Sequence, residues 1–328
     1  MFDIITFGSA TQDIIVKPRN ITLLKYDKNF PSGKEICFPV GSKIDVEDVC
    51  FYSGGGGTNT AATFSFQGFK IAFCGTVGKD IAGQEIINEL KKIKIDTSLV
   101  KKIDKKRTNN SVIILNNKND RTILAYRGAS DLLSKKDIPL HKLKTKWLYL
   151  APLSGLLCDN FDSLVNFAFD KKIKIAVNPS MAQLSLPNFA QIAKKIDVLI
   201  MNQEEASFLT KIQLNQEKEI FAKVDEICPG ITVMTKGKDG VIVSDGKYIY
   251  SAMPKTDRKV VDTTGAGDSF GSGFVSGLMQ YDKDIEKSIQ LAMANSTGCL
   301  SQIGAKNGLL KKEQKFEGVE VKKDIIVK

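Results

Sequence analysis

The chain has 328 residues, of which 42% are hydrophobic and 26% charged, so it can bury a full core and is not globally disordered. Its formal net charge is +10, yet the lysines lie scattered in pairs such as Lys91-Lys92, Lys135-Lys136 and Lys194-Lys195. No long basic tract marks a nucleic-acid partner, and the excess charge suits a solvated surface that also attracts anionic nucleotides.

Six cysteines without a Cys-x-x-Cys pair and a single histidine, His141, argue against a zinc cluster or a disulfide scaffold and predict reduced thiols in a cytoplasmic protein. No apolar run reaches membrane-spanning length, and the short apolar start before Gln12-Asp13 predicts no signal peptide. Phe2 to Phe7 reads as a buried strand ended by Gly8-Ser9. Asp13 follows, where a turn carboxylate can satisfy local backbone N–H groups. From Ile14 to Ser53 the pattern breaks into short alternating pieces, among them Ile36 to Val40 and Val46 to Tyr52, as in a small sheet with one wet face. Ser53-Gly54-Gly55-Gly56-Gly57-Thr58-Asn59 then enters a helix. Its glycines let the backbone approach a ligand, and Asn59 can donate to and accept from vicinal hydroxyls; a flexible loop with a cap fits the same residues. Lys70 to Val77 is a strand, after which Asp80 is expected to order its loop. Val112 to Leu115 and Thr122 to Tyr126 read as a hairpin across Asn116 to Arg121, closed by Arg127-Gly128-Ala129.

From Trp147 onward strands alternate with helical segments: Trp147 to Leu150 then Phe161 to Phe169, Ile173 to Val177 then a less regular helix, Val198 to Met201 then Glu204 to Leu209. This alternation predicts parallel βαβ units in a doubly wound sheet, with Pro152, Asn178, Asn202 and the Asp262 turn converging beyond the strands' carboxyl ends. Asn202 and Glu205 form a capping-box pattern. Thr235-Lys236-Gly237-Lys238-Asp239-Gly240 follows the strand Ile231 to Met234 and leads into strands at Val241 and Tyr248. The richest stretch is Asp262-Thr263-Thr264-Gly265-Ala266-Gly267-Asp268, which ends in the helical pattern Phe270, Phe274, Val275, Leu278, Met279. Gly265 and Gly267 leave backbone N–H groups uncovered at a helix N-terminus, which suits a phosphate or a developing anion. Asp268 falls beside them, either as a base for a hydroxyl or as an ordinary helix cap. The turn has no lysine, so it is no Walker loop, and Phe270 replaces the third glycine of a dinucleotide fingerprint. A last helix, Ile285 to Leu300, carries Ala294-Asn295.

The Asp262 to Gly273 string resembles the anion-hole and catalytic-base signature of the ribokinase-like (PfkB) sugar kinase family. Gly8-Ser9 to Asp13, Gly54-Gly55 to Asn59, Asn202 to Glu205 and Thr235 to Gly240 resemble further motifs of that family in the same order, so the likeness spans nearly the whole chain. It implies an α/β fold: a doubly wound, mostly parallel sheet sandwiched by helices, forming one kinase domain over residues 1–328. A small β-sheet lid would be built from strands within 14–53 and around 111–127. The implied activity is ATP-dependent phosphorylation of a sugar hydroxyl, with Asp268 as base and the N–H groups of Gly265, Ala266 and Gly267 as anion hole. Asp13, Gly54, Gly55 and Asn59 would hold the sugar, and Arg127 a substrate oxygen or anionic group. Asn202, Thr235, Gly237, Gly240 and Asn295 would bind ATP, with Asn295 beside the adenine. Glu205 would act on Mg2+ through water; Asp262 and Thr264, with the loop Gln302 to Ala305, would hold a monovalent cation such as K+. Dimerisation through the lid is common in similar kinases. The sequence departs from ribokinases where Ala151-Pro152-Leu153 replaces a Glu after the strand at Trp147, which puts ribose in doubt. Leu153 and Leu156 would face the base of a nucleoside acceptor, and a hexose or keto-sugar acid stays open. A non-catalytic sugar- or nucleotide-binding protein is the alternative from another class, against which the intact Asp268 argues.

Overall fold

A computed structural model describes residues 1–19, 21–25, 34–115, 121–255 and 259–326. In chain order its main elements are β1 (Phe2–Phe7), β2 (Thr11–Pro18), β3 (Thr22–Lys25), β4 (Lys34–Cys37), β5 (Val46–Gly54), α1 (Gly56–Phe66), β6 (Ile71–Gly78), α2 (Ile81–Lys92), β7 (Val100–Ile103), β8 (Asn109–Leu115) and β9 (Arg121–Tyr126). There follow β10 (Thr145–Leu150), α3 (Gly155–Asp159), α4 (Phe161–Asp170), β11 (Lys174–Val177), α5 (Met181–Leu184), α6 (Phe189–Ala193), β12 (Val198–Asn202), α7 (Gln203–Thr210), α8 (Glu217–Ile227) and β13 (Ile231–Thr235). The chain ends with β14 (Val241–Ser244), β15 (Tyr248–Ala252), α9 (Ala266–Gln280), α10 (Ile285–Leu300) and β16 (Val321–Ile325).

Apolar runs with no polar alternation need cover on both faces, and the large sheet provides it. Its order is β16-β15-β14-β13-β12-β11-β10-β1-β6-β7, parallel from β13 to β7, with an antiparallel edge in β14, β15 and β16. Every residue of β6 is buried. Successive residues of β1 separate two cores, because side chains alternate along a strand. Ile5 and Phe7 join Phe161, Val165, Phe189 and Val224 of α4, α6 and α8; Ile4 joins Phe64, Leu90, Phe274 and Ile289 of α1, α2, α9 and α10. The result is the sandwich the sequence predicts. The chain adds β6 and β7 on one side of β1 and β10 to β13 on the other, so strand order reverses between β1 and β10. A crevice opens at such a switch point, beyond the strands' carboxyl ends, where Gly8 and Ala151 stand.

The lid is a separate sheet of order β5-β2-β8-β9. Its register puts Asp13, Tyr52, Ser111 and Ala125 in one cross-strand row and Ile14, Phe51, Val112 and Leu124 in the next, on the opposite face. Two expectations change here. Asp13 lies inside β2, so its backbone is in a ladder and its side chain is projected by the strand, not by a turn. The piece at Ile36 is β4, which pairs with β3 in a two-stranded sheet of its own and does not join the lid. Near the end of the chain, Lys322 to Asp324 pair antiparallel with β15 inside β16. The expected hairpin turn at Asn116 to Asp120 lies outside the described residues. All six cysteines are free, and among the described residues no helix is long and apolar enough to cross a membrane.

Candidate active site

The turn before α9 is braced from beneath by α10. Val261 N donates to Leu300 O (2.8 Å), Ser296 Oγ to Ala266 O (3.2 Å), and Asn295 Nδ2 to Ser269 O (2.8 Å). Asp262 folds the turn: Oδ1 accepts from Thr264 N and Oγ1, and Oδ2 accepts from Gly304 N (2.9, 2.7 and 3.0 Å). Gly265 has φ 77°, and a Cβ there would lie 2.5 Å from Ala305 Cβ, so only glycine lets the loop at 304–306 press against the turn. At Gly267 a Cβ would meet nothing within 4 Å, so the first turn of α9 faces open space with its N–H groups lacking carbonyls four residues back.

Asp268 sits in that first turn, half-buried. Asn59 Nδ2, from the first turn of α1, donates to its Oδ2 at 2.8 Å. Asn59 is 5% exposed, and its Oδ1 is buried with no hydrogen-bond partner. A buried acceptor left open is costly, about 1–3 kcal/mol, unless a donor arrives from a ligand. Glycines bring the remaining parts close. A Cβ at Gly56 would lie 3.2 Å from Ala151 Cβ and Pro152 Cδ and 3.3 Å from Asp268 Oδ1; one at Gly54 would lie 2.0 Å from Asp13 Oδ2. Gly55, with φ 96°, crosses Ser9 O closely enough that a Cβ would sit at 2.5 Å. Asp13, Gly54, Gly55, Asn59 and Asp268 therefore form one cluster at the switch point.

Burial governs the charges of this cluster. It pushes Asp13 up to about 6, against a hydrogen bond from Ser111 and the charge of Lys306, while Asp262 and Asp268 push the same way as burial. Burial also raises Asp268, opposed by Asn59 and then Lys306. Tyr149 lies beneath with a fully buried phenol that has no hydrogen-bond partner, and burial, followed by the charge of Asp268, holds it protonated.

Asn202 and Thr235 are direct neighbours in the β12–β13 register. Asn202 Oδ1 accepts from Glu205 N and Glu205 Oε2 from Asn202 N, each at 2.8 Å, so the capping box is complete and Oε1 is left outside it. Burial raises the Glu205 carboxyl, opposed by the Asn202 N–H. Gly237 and Gly240 both take positive φ, and a Cβ at Gly240 would lie 2.1 Å from Ala252 O.

Two assignments need correction. Asn295 is fully buried: Nδ2 donates to Ser269 O and to Thr63 Oγ1 (3.2 Å), and Oδ1 accepts from Leu310 N (2.9 Å), so the amide is spent inside the protein and cannot reach an adenine. Its neighbour Ala294, with Met293 and Thr297, instead lines a cavity of about 560 Å³ bounded by Lys255, Gln302 and Phe316. Leu153 is 2% exposed in the core with Phe161, so it offers no face to a nucleoside base, whereas Leu156 is exposed. Arg127 is exposed at the end of β9. Asn178 Nδ2 is bonded to Ile200 O, and Asp80 caps α2 while accepting from Thr108 N and Oγ1. Lys306 is the charged residue that sequence reasoning missed; its only sign is its place directly after Gly304-Ala305.

A family model described as pfkB family carbohydrate kinase matches residues 13–312. The chain is 27% identical over 282 residues to a ribokinase of Haemophilus influenzae, covering 81% of this chain and 87% of that one. Its fold is similar to that of Arabidopsis thaliana ribokinase complexed with ribose and ATP, with TM-score 0.76, 21% identity and coverage of 94% and 96%. It is also similar to a Methanocaldococcus jannaschii nucleoside kinase, with TM-score 0.74, 21% identity and coverage of 94% and 95%.

Proposed function

The chain belongs to the pfkB family of carbohydrate kinases and is thereby an ATP-dependent phosphotransferase, and on that premise we propose that its acceptor is a hydroxyl of an uncharged sugar. The observation that carries this reading is the cluster of Asp13, Asn59 and Asp268 around the glycines that open α1. Two carboxylates and an open amide oxygen accept hydrogen bonds from vicinal hydroxyls. The same carboxylates, with Asp262 behind them, repel an acceptor that brings its own phosphate or carboxylate. Burial of Leu153 takes away one of the two apolar residues expected to face a nucleoside base and leaves only Leu156.

In this reading Asp13, Gly54, Gly55 and Asn59 align the acceptor, so that attack is effectively intramolecular. Asp268 takes the proton of the attacking hydroxyl, and Asn59 holds its carboxylate in place. The N–H groups of Gly265, Ala266 and Gly267 stabilise charge growing on the transferred phosphoryl group. Asn202, Thr235, Gly237 and Gly240 lie along the nucleotide, and the cavity beside Ala294 receives the base. The Oε1 of Glu205 would hold Mg2+ through the ion's water shell, and the ion would supply positive charge to offset the negative charge developing in transfer. Asp262 and Thr264 would anchor K+, although both Asp262 oxygens already accept from Thr264 and Gly304; rates in K+ against tetramethylammonium test this. Arg127, exposed at the end of β9, would donate to an oxygen of the acceptor.

The test is a thermal-shift panel of uncharged sugars, sugar phosphates, sugar acids and nucleosides, followed by ADP release with each hit. The reading expects the largest shifts and turnover among uncharged sugars; turnover confined to a nucleoside or an anionic sugar refutes it. Shifts with no ADP from any hit mark a binding protein.

We further propose a second copy of the chain as partner through the lid. The row Ile14, Phe51, Val112 and Leu124 is wholly apolar, and Phe51 and Leu124 are 64% and 57% exposed, a patch that a monomer seldom leaves open.

A further inference from the structure

The loop after α10 touches three functional parts in succession. Gly304 N donates to Asp262, Ala305 packs against Gly265, and Lys306 reaches the root of the lid. The Lys306 side chain is 8% exposed; its Nζ donates to Ser53 O at 2.7 Å and to Ser53 Oγ, with Glu89 Oε1 of α2 at 3.8 Å. Ser53 stands where β5 leaves the lid, one residue before the Gly54 that lies under Asp13. Its charge opposes the effect of burial on Asp13 and Asp268, after Ser111 and Asn59 respectively.

We propose that Lys306 is a positioning residue for acceptor binding. Its ammonium ties the root of β5 to the loop beneath the glycine turn and offsets the crowded carboxylates, so that Asp13 meets the acceptor as a carboxylate. This inference rests on the kinase reading above only for its kinetic consequence.

The groups that face Asp13 are Lys306 from the loop, Asp262 and Asp268 from the turn and α9, and the hydroxyl of Ser111 from β8; Lys306 itself is faced by Glu89, Asp13 and Asp268. Burial raises Asp13 to about 6, opposed first by the Ser111 hydroxyl and then by Lys306, the one charge among these that favours its ionised form. An opposite charge nearby favours the ionised carboxyl, so removing it raises the Asp13 midpoint. A protonated Asp13 is a hydrogen-bond donor and loses half of its accepting capacity, so acceptor affinity falls at pH 7.

Three variants separate charge from tether. Lys306→Gln keeps a donor for Ser53 O without charge, Lys306→Met removes both, and Lys306→Arg keeps the charge. The Asp13 carboxyl is followed by 13C NMR titration in aspartate-labelled protein, with Asp13→Asn as the assignment control. The expected result is a midpoint raised in Lys306→Gln, little moved in Lys306→Arg. The acid limb of kcat/KM for the acceptor should shift upward with it, with KM rising more than kcat falls. A folded Lys306→Gln whose Asp13 midpoint equals that of wild type overturns the proposal, as does a Lys306→Met that loses thermal stability with no change in the acid limb. The titration needs no turnover: a wild-type protein that releases no ADP with any acceptor sinks the proposed function, while the midpoint still decides the role of Lys306.

Discussion

Replacing Asp268 by Asn removes one charge and almost no volume from the centre of the site. Asn59 Nδ2 now donates to Asp268 Oδ2 at 2.8 Å, and the new side chain can offer its amide oxygen to the same donor, so the α1–α9 contact survives. What disappears is the base. General-base assistance is worth about 10²–10⁴-fold, or about 3–5.5 kcal/mol at 1.36 kcal/mol per tenfold in rate, and turnover should fall by that factor at saturating acceptor. ATP affinity should hold or tighten, because a carboxylate facing the γ-phosphate has gone. Stability moves in the opposite direction to activity. Burial raises Asp268 above its ordinary value of 3.8, so the folded state binds this proton more tightly than the unfolded chain does. The ionised group therefore costs stability above its folded midpoint, and the cost fades as pH falls through that midpoint toward the unfolded value. At pH 7 Asp268→Asn should melt no lower than wild type, and the difference should shrink as pH is lowered. Coupled ADP release, ATP titration calorimetry and melting at several pH values make the test. Turnover within tenfold of wild type would refute Asp268 as the base, whatever the melting behaviour.

A methyl group at Gly54 would stand 2.0 Å from Asp13 Oδ2, so Gly54→Ala must displace that carboxylate by about 1 Å and lower kcat/KM for the acceptor about 10²-fold with the KM for ATP unchanged; steady-state kinetics with each substrate varied would expose a loss shared by both. Asn295→Ala orphans Leu310 N and the donors' partners in the core, at a cost of about 3 kcal/mol or about 4 °C in Tm for a chain of this size, while the KM for ATP stays put; a raised KM at unchanged Tm would restore Asn295 to the nucleotide site. Phe51→Asp places a charge in the exposed apolar row of the lid, and light scattering should then report a monomer where wild type reports a dimer, with a monomeric wild type counting against the partner proposal.

The parts legible in the sequence are those whose cause is local. Buried parallel strands announce themselves because cover on both faces removes polar alternation, as in Ile71 to Gly78, every residue of which is buried. The glycines at 54, 55 and 265 were equally legible, since each marks a point where another segment presses on the backbone and a Cβ has no room. Asn202 and Glu205 satisfied both readings at once: the capping box is complete, yet it uses only one oxygen of Glu205.

Side-chain partners contributed from far along the chain were not legible. Asn295 bonds Thr63, 232 residues away, and Lys306 bonds Ser53, 253 residues away. Neither distance leaves a mark in spacing, and an asparagine inside a kinase-like helix reads the same whether it faces a ligand or a neighbouring helix. The two misses share one physical origin. The α9–α10 pair holds the glycine turn from below, so polar groups pointing into that support are spent on protein, while only those pointing out of it are left for a ligand. Which way a residue points is fixed by the packing of α10 against α9 and α1, and that packing also carries Gly304, Ala305 and Lys306 onto the turn. On the proposal above, a lysine just past the loop Gln302 to Ala305 thereby becomes the counter-charge of the acceptor site, although nothing in its own spacing marks it for that role.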